Sequence, residues 1–100
     1  MTFEEHVTRA LDSIPPDLAR RMENVAIVVE DENPDEPDLL GLFEGGGDYM
    51  PDKVTIYRLP LEADFPDPAE LEREIRITVL HELGHYFGIE EDRIAELGYE

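Results

Sequence analysis

Apolar residues recur at helical spacing in two long stretches of the chain and cluster or alternate in three shorter ones. In the first stretch Phe3, Val7, Ala10 and Leu11 fall on one side of a helix over 2–11, and Thr2 with Glu5 makes a capping box at its start. Ile14-Pro15-Pro16 ends that helix, because proline restricts its predecessor and cannot donate to the helical ladder. Asp17 to Met22 adds one or two further turns, and the β-branched run Val25-Ala26-Ile27-Val28-Val29 reads as a central strand. Leu39 to Glu44 is a second strand weakened by Gly41, and Gly45-Gly46-Gly47 is a turn or loop that can serve as a flap. Lys53 to Arg58 alternates as a half-buried strand, with Val54 and Ile56 inward and Lys53, Thr55 and Tyr57 on the other face. The segment from Leu59 to Asp67, with Pro60 and Pro66, reads as ordered loop.

The second long stretch opens with Asp67 as N-cap, Pro68 at the first helical position and Glu70 three residues after the cap. From Leu71 onward, Ile75, Val79, Leu80, Leu83 and Phe87 share one broad face, which predicts a core-facing helix stopped at Gly88. A short final helix over 90–97 docks through Ile94 and Leu97. The order of helix, three strands, long helix and short helix predicts an α+β fold with the helices on one face of a small sheet.

A chain of 100 residues suffices for one domain with one modest core, so any active site is built on that core. The chain has no cysteine, which excludes disulfides, thiolate metal sites and cysteine nucleophiles. The 26 acidic residues against 8 basic ones give a formal charge of -18. Such a surface repels phosphate backbones and anionic membranes, so neither nucleic acid nor a membrane is an expected partner. No apolar run approaches a membrane span, and Glu4, Glu5 and Asp12 occupy the region where a secretion signal is basic and apolar. The expectation is a cytoplasmic monomer or weak oligomer.

The chemistry concentrates in His81-Glu82-Leu83-Gly84-His85. Positions four apart on a helix differ by about 40° of rotation, so the two imidazoles project side by side and can share one Zn²⁺ at about 2.0–2.1 Å. Glu82 sits about 100° further round, too far for a natural ligand but placed to hold a water against the metal and take its proton. A catalytic zinc site normally has three protein ligands and an open position. Gly88 allows a sharp turn after His85, which makes Glu91 the favoured third ligand and Asp92 its rival. Gly84 lies in mid-helix, where glycine costs about 1 kcal/mol; close approach of another segment and simple tight packing are equal explanations.

Other polar residues carry less. His6 lacks metal-like spacing and reads as a surface or boundary residue. Tyr57 and Tyr49 can offer a hydroxyl to a tetrahedral intermediate, although a tyrosine near a strand more often packs. Thr55 and Tyr57 are the candidates for substrate binding, on the view that their strand forms a sheet edge to which extended substrate pairs by its backbone. The acids of 31–38 lack the oxygen-ligand spacing and central glycine of a calcium loop and read as a solvated loop.

The segments Leu39-Leu40-Gly41-Leu42-Phe43-Glu44-Gly45, Pro51 to Arg58 and above all Thr78 to Ile89 resemble small bacterial zincin-like metallopeptidases, and with them nearly the full length of the chain does. The resemblance implies a minimal zincin-like fold, in which a small mixed or antiparallel three-stranded sheet packs against N-terminal helices and the long helix of the His-Glu-x-x-His motif. It implies His81 and His85 as metal ligands, Glu82 as general base, and an acidic residue beyond the glycine turn completing the site. The chain departs from the metzincin pattern at Glu91, where those enzymes place a third histidine.

The leading expectation is a zinc-dependent hydrolase of peptide bonds acting on a peptide or protein substrate. Its alternative is a catalytically weak or inactive zincin-fold module that binds metal or protein. A third class, an acidic scaffold for basic proteins, would bind without metal and weaken steeply with salt.

Overall fold

A computed structural model describes residues 1–87 of the chain, the last three by backbone alone. The elements are α1 (Phe3–Asp12), α2 (Pro16–Ala19) with a 3-10 turn (Arg20–Met22), β1 (Val25–Glu30), β2 (Gly41–Glu44), β3 (Asp52–Tyr57), α3 (Arg58–Asp64) and α4 (Pro68–Phe87). The expected final helix lies outside the described residues. The architecture is the expected α+β one, with a mixed sheet. Among the described residues no helix is long and apolar enough to cross a membrane.

Local chemistry sets the helix starts as the sequence predicts. The Glu5 amide donates to Thr2 Oγ1 at 3.2 Å, and the Glu70 amide donates to Asp67 Oδ2 at 3.1 Å. Each bond satisfies a first-turn donor that has no partner inside the helix.

One helix was not expected. Arg58–Asp64 forms α3 despite Pro60, which is its third residue and lacks only an N–H that the first turn leaves without an intrahelical acceptor. Leu61 is fully buried. Arg58 holds Glu62 one turn on at 2.7 Å and reaches Asp31 at 2.9 Å. The hydrogen bonds to Asp31 and then Glu62 raise the guanidinium pKa above its ordinary value.

The three strands run in the order β1-β3-β2, with β1 parallel and β2 antiparallel to β3. This order corrects two expectations. The apolar run of β1 lies at an edge, and every residue from Val25 to Val29 keeps some exposure. The alternating strand, β3, is the centre, with its residues from Val54 to Tyr57 buried on both faces. Hydropathy reports how much of a strand packs, while strand order depends on which backbones pair, and pairing leaves no mark in a single segment.

One face of the sheet makes the core. Val25, Ile27 and Val29 of β1, Val54 and Ile56 of β3 and Phe43 of β2 join Leu71, Ile75, Val79, Leu80 and Leu83 of α4 and Phe3, Val7 and Ala10 of α1 in a single cluster. The helix pattern and the strand alternation therefore meet at one interface, as the apolar periodicities require. On the opposite face the Tyr57 hydroxyl accepts from Asn33 Nδ2 at 3.0 Å, while Asn33 Oδ1 receives the amides of Asp35 and Glu36. That turn ties the acidic loop over the sheet.

Candidate metal centre

The site begins with α4, which is helical without interruption from Pro68 to Phe87. Its buried positions Ile75, Val79, Leu80 and Leu83 fix the rotation of the helix against the sheet. That rotation leaves His81 exposed and Glu82 partly exposed at the rim of the core. Positions 81 and 85 lie one turn apart on the same side of the helix. The His85 side chain, Glu91 and Asp92 lie outside the described residues, and with them the choice of third ligand.

The neighbour that completes the local geometry is β2. Gly41 pairs with Ile56 on the core face of the sheet, and a Cβ built on Gly41 would stand 2.5 Å from Thr78 Cγ2 and 3.7 Å from Glu82 Cγ. The backbone of β2 therefore lies directly on the turn of α4 that carries Glu82.

The hydrogen-bond phase of β2 follows from one bond. The Tyr57 amide donates to Leu40 O at 3.0 Å, so residues 40 and 57 form a hydrogen-bonded antiparallel pair and the alternate pair Gly41 with Ile56 does not. Gly41 thus turns its N–H and C=O away from β3, towards the side of β2 on which no strand pairs among the described residues. The open edge of β2 and the Glu82 side chain thus meet at Gly41.

The expectations for β3 fare differently. Thr55 and Tyr57 are buried, at 2% and 3% exposure, on the sheet face opposite Val54 and Ile56 and hence opposite α4. The structure does not bring them to His81 and Glu82, and β3 has both backbone sides paired, so the sheet edge beside the motif is β2. The physical reason is strand order: a central strand exposes neither its backbone nor the side chains flanked by two neighbours. Tyr49, by contrast, is almost wholly exposed in the loop after β2. The glycine loop is closed at its base, with the Gly46 amide donating to Asp52 Oδ1 at 3.1 Å and its α-carbon packed on the carbonyls of Met50 and Pro51 where no side chain fits.

The residue that sequence reasoning passed over is Gly41. Its signal was present, since a glycine inside a strand marks either a weak strand or a place where another segment comes close, and only the weakness was read from it.

The donor chemistry fits a divalent cation. His81 presents an exposed imidazole that makes no hydrogen bond or ion pair among the described residues, in the company of carboxylates and no thiols. Among the described residues no group of three potential ligands forms. Of the ligand set expected from the sequence, the described residues include the His81 side chain, while the His85 side chain and the acids after Gly88 lie outside them.

Comparison with known proteins agrees with this geometry. No curated protein matches the chain. The family model for zincin-like metallopeptidases matches residues 22–99, which include all three strands, α4 and the whole motif, and the chain belongs to that family.

Proposed function

We propose that the chain is a zinc-dependent peptide hydrolase with Glu82 as its general base. The observation that carries this reading is the juxtaposition at one rim of the core: His81 exposed, Glu82 beside it, and the Gly41 backbone turned outward across the same turn of α4. His81 and His85 would hold the ion, with Glu91 or Asp92 as the third ligand. Bound zinc supplies Lewis acidity towards a water and towards the scissile carbonyl.

The remaining work falls to the chain itself. Gly41 offers an N–H and a C=O to an extended substrate, which adds as a further strand beside β2. That pairing sets the scissile bond over α4 rather than over the sheet. Glu82 takes the proton of the attacking water and passes it to the departing amine. Its partial burial against β2 limits the positions its carboxylate can occupy, which favours a short proton path over free solvent exchange.

The test is hydrolysis of fluorescein-labelled casein by zinc-loaded protein, with and without a chelator, in the wild type and in Glu82→Gln. Chelator-sensitive cleavage that is lost in Glu82→Gln, with zinc still bound, is the expected result. Cleavage retained in that variant eliminates Glu82 as base. Stoichiometric zinc with no cleavage in the wild type favours the metal-binding module without turnover.

A further inference from the structure

We propose that Gly41 is a positioning residue of this site: having no side chain, it lets β2 rest on α4 at the depth that sets Glu82 against the open edge of the sheet. This inference rests on the hydrolase reading of that edge, and it assigns a role to a residue outside the His-Glu-x-x-His motif.

The cause is space and not backbone conformation. Among the described residues Gly47 is the glycine with positive φ, and Gly41 is not, so an alanine at 41 meets no dihedral penalty. It meets atoms. A Cβ there would stand 2.5 Å from Thr78 Cγ2 and 3.3 Å from the Thr55 carbonyl oxygen. The carbonyl belongs to the central strand and cannot give way. Thr78 is 7% exposed and sits between Ile77 and Val79, both buried, so its methyl group cannot swing aside without disturbing the core. The remaining response is for β2 to lift from α4, or for α4 to slide beneath it. Either movement changes the distance between the Gly41 backbone and Glu82, whose Cγ is the third atom within reach of that Cβ at 3.7 Å.

Plain tight packing would also explain a glycine here, and the two explanations separate in a compensated variant. Gly41→Ala adds a methyl group and Thr78→Ser removes the one it strikes while keeping the hydroxyl. The full chain is compared as wild type, Gly41→Ala and Gly41→Ala/Thr78→Ser. Three readouts are taken: turnover of fluorescein-labelled casein per folded molecule, the urea unfolding midpoint, and the ¹³C resonance of the Glu82 carboxyl in zinc-free protein.

A positioning role predicts that Gly41→Ala displaces the Glu82 resonance and lowers turnover by about 100-fold, the effect of misplacing a reacting group by about 1 Å. The double variant recovers most of both, the Thr55 carbonyl at 3.3 Å leaving a residual shift of a few tenths of an ångström. Loss of unfolding midpoint alone, with the Glu82 resonance and turnover per folded molecule as in the wild type, overturns the proposal. So does a double variant that regains stability but not the resonance. If Gly41→Ala does not fold, the double variant decides: a near-wild-type Glu82 resonance upholds the role and a displaced one refutes it. A wild type that never cleaves casein counts against the hydrolase reading, and the resonance and its recovery still decide the fate of Gly41.

Discussion

The two halves of α4 carry similar polar residues and use them in opposite ways. In the half that packs on α1, Glu72 receives Arg9 Nε at 2.8 Å and lies 3.6 Å from Nδ1 of His6, while Arg76 donates to Ser13 Oγ at 3.1 Å. His6 is only 8% exposed, deeper than the surface or boundary position expected of it. In the half that passes beneath β2, His81 is exposed and Glu82 stands at the rim, and among the described residues neither forms a hydrogen bond or ion pair. Histidine and glutamate thus serve as inter-helix polar contacts in one place and have no such partner among the described residues in the other. A side chain already held by its own fold cannot also bind a cation or move a proton without breaking that hold, which is why the proposed chemistry is placed on His81 and Glu82 and not on His6 and Glu72.

The sharpest way to break this contrast is to remove the carboxylate from each half. Glu82→Gln is expected to lower peptide hydrolysis by about 10²–10⁴-fold, the usual worth of a general base, while the urea midpoint stays at its wild-type value. A large loss of stability would show that Glu82 belongs to the fold after all. His81→Ala should lower the zinc content of the purified protein from stoichiometric towards none, measured by elemental analysis, with the far-ultraviolet circular dichroism unchanged over the described helices.

Ile75→Ala tests the scaffold that both halves share. Ile75 is fully buried, and truncation is expected to cost about 2–5 kcal/mol in denaturant unfolding, with turnover per folded molecule intact. Glu72→Ala is the counterpart of the Glu82 variant. The Glu72 side chain is 14% exposed and touches both His6 and Arg9, so its removal should cost about 1–3 kcal/mol. The cost falls at the low end of that range, because the Arg9 side chain is 63% exposed and screened by solvent, and His6 Nδ1 at 3.6 Å makes no hydrogen bond to Glu72. Reduced turnover per folded molecule in Glu72→Ala would dissolve the contrast. The smallest effect belongs to Asp67→Ala, which removes the cap of α4 for about 1 kcal/mol, read from the same unfolding curve.

Much of this was legible without coordinates. Thr2 and Asp67 announce helix starts because capping is a contact between near neighbours, and the spacing of Ile75, Val79, Leu80 and Leu83 announces the buried face because helical geometry is fixed by local bonds. The same logic located His81 and Glu82 off the core. Less was legible where proline misled: Pro60 reads as a breaker, yet its place in a first turn makes it compatible with α3.

The linear chain by itself determined the three strands and every described helix but α3, which side of α4 is buried, and that His81, Glu82 and His85 share one helix with a metal-binding spacing. Tertiary structure alone decided that β3 and not β1 is the central strand, that Thr55 and Tyr57 are buried in a strand paired on both sides, and that Gly41 brings the sheet edge to Glu82. The division follows from range. Periodicity and caps are enforced by residues a few positions apart, whereas strand order and the meeting of Gly41 with Thr78 join segments distant along the chain, and only packing of the whole core settles which of them come together.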